Sequence, residues 1–178
     1  MKRTLIALAV IILGVAITAP ASAERDLRNF ATLGLGVAVP DHADFSDDYQ
    51  MGFCGSLGYG TRLGHSSEFF AYGMLAYDQF RSRDKAVRDD TYLGNFNADA
   101  RYYFGPVAKY EAGYIGLGPG LYWDRDGDVC VGLNLAVGGD FPVGSDWSIT
   151  ADVDQHFVNK DRMGAFLTVR VGAAYWFL

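Results

Sequence analysis

Hydrophobic and polar residues alternate one by one along most of this chain, and the alternation restarts after each short polar or glycine-containing break. A period of two puts successive side chains on opposite faces of a strand, whereas a helix would repeat every three to four residues. The first such stretch, about 30 to 39, sets Leu33, Leu35, Val37 and Val39 against Thr32, Gly34, Gly36 and Ala38. The second, 50 to 62, sets Met51, Phe53, Leu57 and Tyr59 against Gly52, Cys54, Ser56, Gly58 and Gly60. In the third, 68 to 81, both Phe70/Tyr72/Met74 and Phe69/Leu75/Tyr77 read as apolar faces, so its phase stays open. The fourth, 91 to 104, is the cleanest: Tyr92, Phe96, Ala98, Ala100, Tyr102 and Phe104 alternate with Thr91, Asn95, Asn97, Asp99 and Arg101.

A fifth segment, 110 to 123, places Ile115, Leu117 and Leu121 opposite Tyr114, Gly116, Gly118 and Gly120, and Pro119 marks a bulge or a weak ladder position. The sixth, 129 to 141, alternates Val129, Val131, Leu133, Leu135, Val137 and Phe141 with Cys130, Gly132, Asn134, Ala136, Gly138 and Asp140. The seventh, 147 to 157, sets Trp147, Ile149, Ala151, Val153 and Phe157 against Ser148, Thr150, Asp152, Asp154 and His156. The eighth ends the chain, with Leu167, Val169, Val171, Ala173, Tyr175 and Phe177 facing away from Thr168, Arg170, Gly172 and Ala174. Each is long enough to cross a bilayer at a tilt, which takes about 9 to 11 residues.

The two faces decide between a soluble and a membrane barrel. A soluble barrel fills its interior with large apolar residues and turns its polar face to water. Here the polar face is rich in Gly, Ala, Ser and Asn, small enough for a narrow interior, and the continuous apolar face carries aromatics near strand ends (Phe104, Tyr110, Phe141, Trp147, Tyr175, Phe177), as a lipid-facing band with interfacial girdles would. The chain reads inside-out. Closing eight strands leaves no unpaired edge in lipid, so the expected fold is an all-β, transmembrane, eight-stranded antiparallel up-and-down β-barrel.

Residues 1–23 hold Lys2 and Arg3, an apolar run from Leu5 to Ala19, and Ala21-Ser22-Ala23, the order of a cleaved secretory signal. The expected mature domain is 24–178. Loss of Lys2 and Arg3 takes the 15 basic side chains to 13 against 21 acidic ones, a formal net of −8. Such acidity argues against nucleic acid as a partner.

The terminal run Arg170, Gly172, Tyr175 and Phe177 resembles the C-terminal signal by which outer-membrane β-barrels are recognised by their insertion machinery, with Leu178 following the final aromatic. With the eight alternating segments and the leader, the whole mature chain resembles the small OmpA/OmpX-type outer-membrane barrels. The resemblance implies insertion by the barrel-assembly machinery after escort by periplasmic chaperones, and contact with outer-membrane lipid and lipopolysaccharide; a monomer without a cofactor is expected. An even strand count puts both termini on the periplasmic side, with short turns at 62–67, 105–109 and 142–146 and outer loops at 40–49, 82–90, 124–128 and 158–162.

Asp99, Arg101, Glu111, Asp152, Asp154, His156 and Arg170 all fall on the inward face. An eight-stranded barrel is just wide enough for side chains to fill, so these read as a paired polar core more than as a proton, ion or catalytic site. Counting back from the last outer loop sets Arg170 opposite Asp152, with Asp154 nearby.

Outer-membrane lipid A deacylases resemble the last hairpin and carry a His-x-Ser-Asn motif with a downstream acid. This chain reads His156-Phe157-Val158-Asn159, with no acidic residue after Arg162, so there is no hydroxyl to activate. Asp124 to Asp128 lacks the bidentate Glu of a calcium loop and reads as a hairpin turn at Asp126-Gly127, and no metal site is expected. Cys54 and Cys130 are an even pair in an exported chain, which suggests a disulfide; they sit on opposite strands of a round barrel, which opposes one. The leading expectation is a non-catalytic structural or surface-interaction barrel, the rival a narrow ion-conducting pore, and a lipid A-modifying enzyme comes third.

Overall fold

A computed structural model of the chain describes residues 29–64, 68–86, 89–104, 112–159 and 164–178. The leader at 1–23, Tyr110, Glu111 and parts of the expected turns lie outside the described residues. Eight long strands run antiparallel to their neighbours: β1 (Asn29–Pro40), β2 (Gly52–Arg62), β3 (Phe69–Ser82), β4 (Thr91–Phe104), β5 (Ala112–Asp124), β6 (Val129–Pro142), β7 (Trp147–Val158) and β8 (Ala165–Phe177). Pairing of β1 with β8 from Asn29↔Phe177 to Pro40↔Phe166 closes the ring.

Register fixes the size of that ring. One circuit from partner to partner, Asn29↔Thr61↔Ala71↔Ala100↔Leu117↔Leu135↔Gln155↔Leu167↔Val39, returns to β1 ten residues from its start. With strands about 4.8 Å apart and a rise of about 3.3 Å per residue, eight strands staggered by ten residues tilt about 41–43° and enclose a backbone cylinder about 16 Å across. Side chains alone can fill such a tube.

The alternation sorts as an inside-out barrel requires. Leu33, Leu35, Leu57, Leu117, Val131 and Leu133 stand on the outer wall, each more than half exposed. At the end carrying Asn29 and Phe177 (the terminal end) the wall bears Tyr59, Phe69, Tyr102, Phe104, Trp147, Tyr175 and Phe177, many in mutual ring contact. At the opposite, loop end it bears Phe53, Tyr77, Tyr92, Trp123 and Phe157, with Tyr77 stacked on Tyr92 at 5.4 Å. Two aromatic girdles thus bracket an aliphatic belt, the pattern that the two interfaces of a bilayer select.

β3 takes the phase that buries Phe70, Tyr72, Met74, Ala76, Asp78 and Phe80 and turns Phe69, Leu75 and Tyr77 outward. Asp78 decides it, because the other phase would hold a carboxylate against lipid. Pro119 makes no bulge: Asn97↔Gly120 and Ala100↔Leu117 keep one register, and only the pairs between them drop out of the β4–β5 ladder. The proline has no N–H to donate there. At the 124–128 hairpin Gly127 adopts φ +84°, and Asp124 Oδ1 accepts from the N–H groups of Asp126 and Asp128 at 3.0 and 3.1 Å.

Two expectations need correction. The interior is not lined by small residues alone, because a 16 Å tube leaves space at its ends that glycine and alanine cannot fill. Phe30, Phe70, Tyr72, Tyr103, Tyr114 and Trp176 pack inside the terminal end, and Phe80, Leu93, Tyr122, Val158 and Phe166 inside the loop end. Nor is 40–49 only a polar loop. Residues Ala43–Asp48 form a one-and-a-half-turn helix, α1, followed by a two-residue strand, Tyr49–Gln50, paired to the end of β3. Phe45 of α1 turns down into the barrel mouth, 4.8 Å from the Phe80 ring, which gives an otherwise polar segment a reason to fold back. Arg83 clamps it, donating from Nε to the carbonyls of Ser46 and Tyr49 at 2.7 and 3.3 Å.

Candidate functional site

The inward-facing polar residues gather in the middle of the tube, between the two apolar plugs. Glycines make the space. Gly34 of β1 and Gly172 of β8 are cross-strand partners, and a Cβ on Gly34 would stand 3.6 Å from Arg170 Cδ and 2.8 Å from Ser56 Oγ. Arg170 therefore lies across the lumen where any larger residue would block it.

Arg170 and Asp152 are directly opposed in the β7–β8 ladder. The guanidinium donates from Nε to Asp152 Oδ1 at 2.9 Å, with Nη2 at 2.8 Å from the same oxygen, and Nη2 also pairs with Asp154 Oδ2. One cation thus joins two carboxylates two residues apart on one strand face, and Arg170 and Asp154 are almost wholly buried. Charges taken that far from water persist only when paired and hydrogen-bonded.

Asp99 and Arg101 form a second centre toward the terminal end. Arg101 Nη2 stands 3.9 Å from Asp99 Oδ2, so this ion pair is loose. The guanidinium is held mainly by rings: its Cζ lies 3.4 Å from the Tyr72 centroid and 4.5 Å from that of Tyr114. Between two aromatic faces in a dry interior, a guanidinium gains the cation–π attraction that water would screen. Asp99 is held in turn by Asn134, which donates from its amide nitrogen to Oδ1 at 2.7 Å and to the Gly118 carbonyl at 3.2 Å, beside the gap in the β4–β5 ladder.

His156 belongs to a third group. A chain of hydrogen bonds crosses the lumen from β3 to β8: Asn95 donates to Asp78 at 2.6 Å, Asn97 to Asn95 at 2.7 Å, and Tyr122 to Asn97 at 3.0 Å. Tyr122 oxygen is also 3.0 Å from His156 Nδ1, and His156 Nε2 is 3.4 Å from Thr168 Oγ1. Since the single phenolic proton goes to Asn97, Nδ1–H donates to Tyr122 and Nε2 accepts from Thr168. The imidazole also stacks on Phe166 at 4.4 Å. Val158, at the nucleophile position of the deacylase motif, is a buried part of the loop-end plug.

The expected lumen residues therefore fall into Arg170–Asp152–Asp154, Asp99–Arg101 and, apart from both, His156; Glu111 lies outside the described residues. Reading by sequence set Asn95, Asn97 and Asn134 on the inward face without joining them to the polar network, and it singled out neither Asp78 nor Tyr122. Asp78 was findable, since an aspartate in the middle of a membrane strand selects the inward phase. Among the assembly-signal residues, Arg170 and Gly172 face inward, while Tyr175 and Phe177 lie in the terminal girdle, their rings 6.0 Å apart.

Cys54 and Cys130 are not joined by a disulfide. Cys54 is buried in the loop-end plug and the Cys130 thiol is 3.6 Å from the Tyr122 carbonyl, on a strand four places round the ring. The plug rings keep the two walls apart. Among the described residues, no group of three or more His, Cys, Asp and Glu is arranged to hold a metal ion.

No protein-family model and no curated protein matches the chain. Solved structures do. Neisserial surface protein A superposes with a TM-score of 0.62 at 17% identity, covering 89% of this chain and 100% of that one. OprG from Pseudomonas aeruginosa gives 0.63 at 13% identity, with 86% and 97% covered. This chain has the fold of the small eight-stranded outer-membrane β-barrels. Ail of Yersinia pestis, solved with the heparin analogue sucrose octasulfate, shares that outer-membrane barrel fold at a TM-score of 0.51 and 17% identity over 85% of this chain and all of Ail. At these identities the barrel is shared and the site residues are this chain's own.

Proposed function

We propose that the protein is an integral outer-membrane barrel with a structural or surface-interaction role, non-catalytic and non-conducting, with both termini periplasmic. The observation that carries this reading is the lumen: apolar plugs at both ends and, between them, one guanidinium paired with two carboxylates of the neighbouring strand and another held between tyrosine rings. The polar void beside Arg101, Asp140, Thr150 and Asp152 measures only about 10 Å³, about the size of one water. Reconstituted in planar bilayers, the barrel should show no resolved conductance steps; regular steps that persist with purified wild-type protein would transfer the reading to a narrow pore.

The loop end is acidic. Its described loop residues include ten aspartates against Arg83, Lys85 and Arg125. The Ail structure holds a sulfated polyanion, and this rim disfavours such a partner by charge. Asp90 shows how the carboxylates are used: it accepts from the Ser82 N–H at 2.9 Å and lies 3.5 Å from Lys85, which together hold its carboxyl below the usual range.

Orientation has a separate test. An epitope inserted after Lys85, in the β3–β4 loop, should stain on intact cells. Staining only after permeabilisation would turn the barrel over.

A further inference from the structure

The outer wall is not uniformly convex. Along one row of cross-strand partners, Leu35↔Gly55↔Tyr77↔Gly94↔Trp123, two glycines stand where the neighbouring rows carry large residues. The row below holds Leu33, Leu57 and Leu75, and the side above holds Phe53 and Tyr92. Between these banks runs a groove of about 450 Å³ with an almost entirely apolar lining. Trp123 lays its indole over Gly94, where a Cβ would collide with it, and forms the upper end.

The path of the groove says what fits it. Strand stagger carries this row from the middle of β1 at Leu35 to the last turn of β5 at Trp123, four strands on. At a tilt near 43° and about 4.8 Å per strand, that is a climb of about 13 Å, close to the roughly 15 Å half-thickness of a bilayer's hydrocarbon core. A slot that opens at an aromatic girdle and ends near mid-depth matches a chain tethered at the interface. Another barrel would meet this face with a convex wall. In lipid the gain comes from dispersion and shape, since bulk hydrocarbon is equally apolar.

We propose that this groove is a binding site for one acyl chain of an outer-leaflet lipid, entering past Trp123 and ending against Leu33 and Leu35. The proposal rests on the membrane-barrel reading. Gly55 offers the test, because a Cβ there meets only ordinary contacts, 3.6 Å to Leu35 and 3.7 Å to Phe53, so Gly55→Leu fills the groove without strain on the wall. Gly73→Leu, on the outer face beyond the groove and 3.7 Å from Phe96, is the control.

Protein folded into vesicles of palmitoyl-oleoyl-phosphatidylethanolamine and extracted into mild detergent should retain one lipid by native mass spectrometry. Gly55→Leu should lower that occupancy about tenfold, a change of about 1.4 kcal/mol, while Gly73→Leu leaves it unchanged. Equal retention in all three proteins, or a dimer that Gly55→Leu dissociates, would overturn the site. A heat-modifiable band separates the two readings: a folded, inserted barrel that holds no lipid removes only the groove, whereas a chain that does not insert removes the membrane barrel with it. If Gly55→Leu does not fold, chain-brominated phosphatidylethanolamine diluted into the same vesicles decides. It should quench Trp123, taken as the difference from Trp123→Phe, at a mole fraction about tenfold below that for Trp147 on the other girdle; equal sensitivity would overturn the proposal.

Discussion

Arg170→Met should be the most destabilising single substitution in this barrel. It leaves two carboxylates, Asp152 and the fully buried Asp154, side by side on one strand face with no cation between them. Removing one partner of a buried ion pair costs about 3 to 5 kcal/mol, most of it the desolvation of the charge left behind. The urea midpoint of the barrel folded in vesicles should fall accordingly. Adding Asp152→Asn should recover part of the loss, and adding Asp154→Asn should recover more, because the guanidinium serves both. A double-mutant cycle that returned no coupling between positions 170 and 152 would show a hydrated lumen in which water screens them, and the non-conducting reading would fall with the pair.

The second large effect concerns biogenesis rather than stability. Tyr175→Ser with Phe177→Ser removes two rings of the terminal girdle, one 5.0 Å from Trp147 and the other 6.2 Å from Tyr59. Both point outward, so the lumen network is untouched. Folded, heat-modifiable protein in the outer membrane should fall sharply, while the same variant refolded from denaturant into vesicles should keep most of its yield. Trp176→Phe is the counterpart: its ring faces inward and its Nε1 donates to Ser148 Oγ at 2.9 Å. That change should lower the unfolding midpoint with little effect on delivery. If the double serine variant accumulated normally in the outer membrane, the last strand would not be the recognition element.

How much of the site was legible followed from how local each feature is. The last hairpin joins β7 and β8 through a short connection, so counting residues from its loop puts Arg170 beside Asp152, and the ladder pairs those two. Asp78, Asn95, Asn97, Tyr122, His156 and Thr168 come from five strands, and nothing in any one strand shows that they share a cross-section. α1 was invisible for a related reason: six residues carry no periodic signal, and Phe45 finds its partners, Phe80 foremost, only once the mouth exists.

The sequence by itself determined the number of strands, which face of seven of them meets lipid, where the chain turns, and that buried charges of both signs line the inside, because a period of two is a property of each segment alone. The tertiary structure decided the rest: the phase of β3, the ten-residue stagger, the aromatic plugs, the helix over the mouth, and which luminal groups meet. Those depend on closure, since only when β8 pairs with β1 are the diameter and the relative height of every strand fixed, and with them every contact across the lumen.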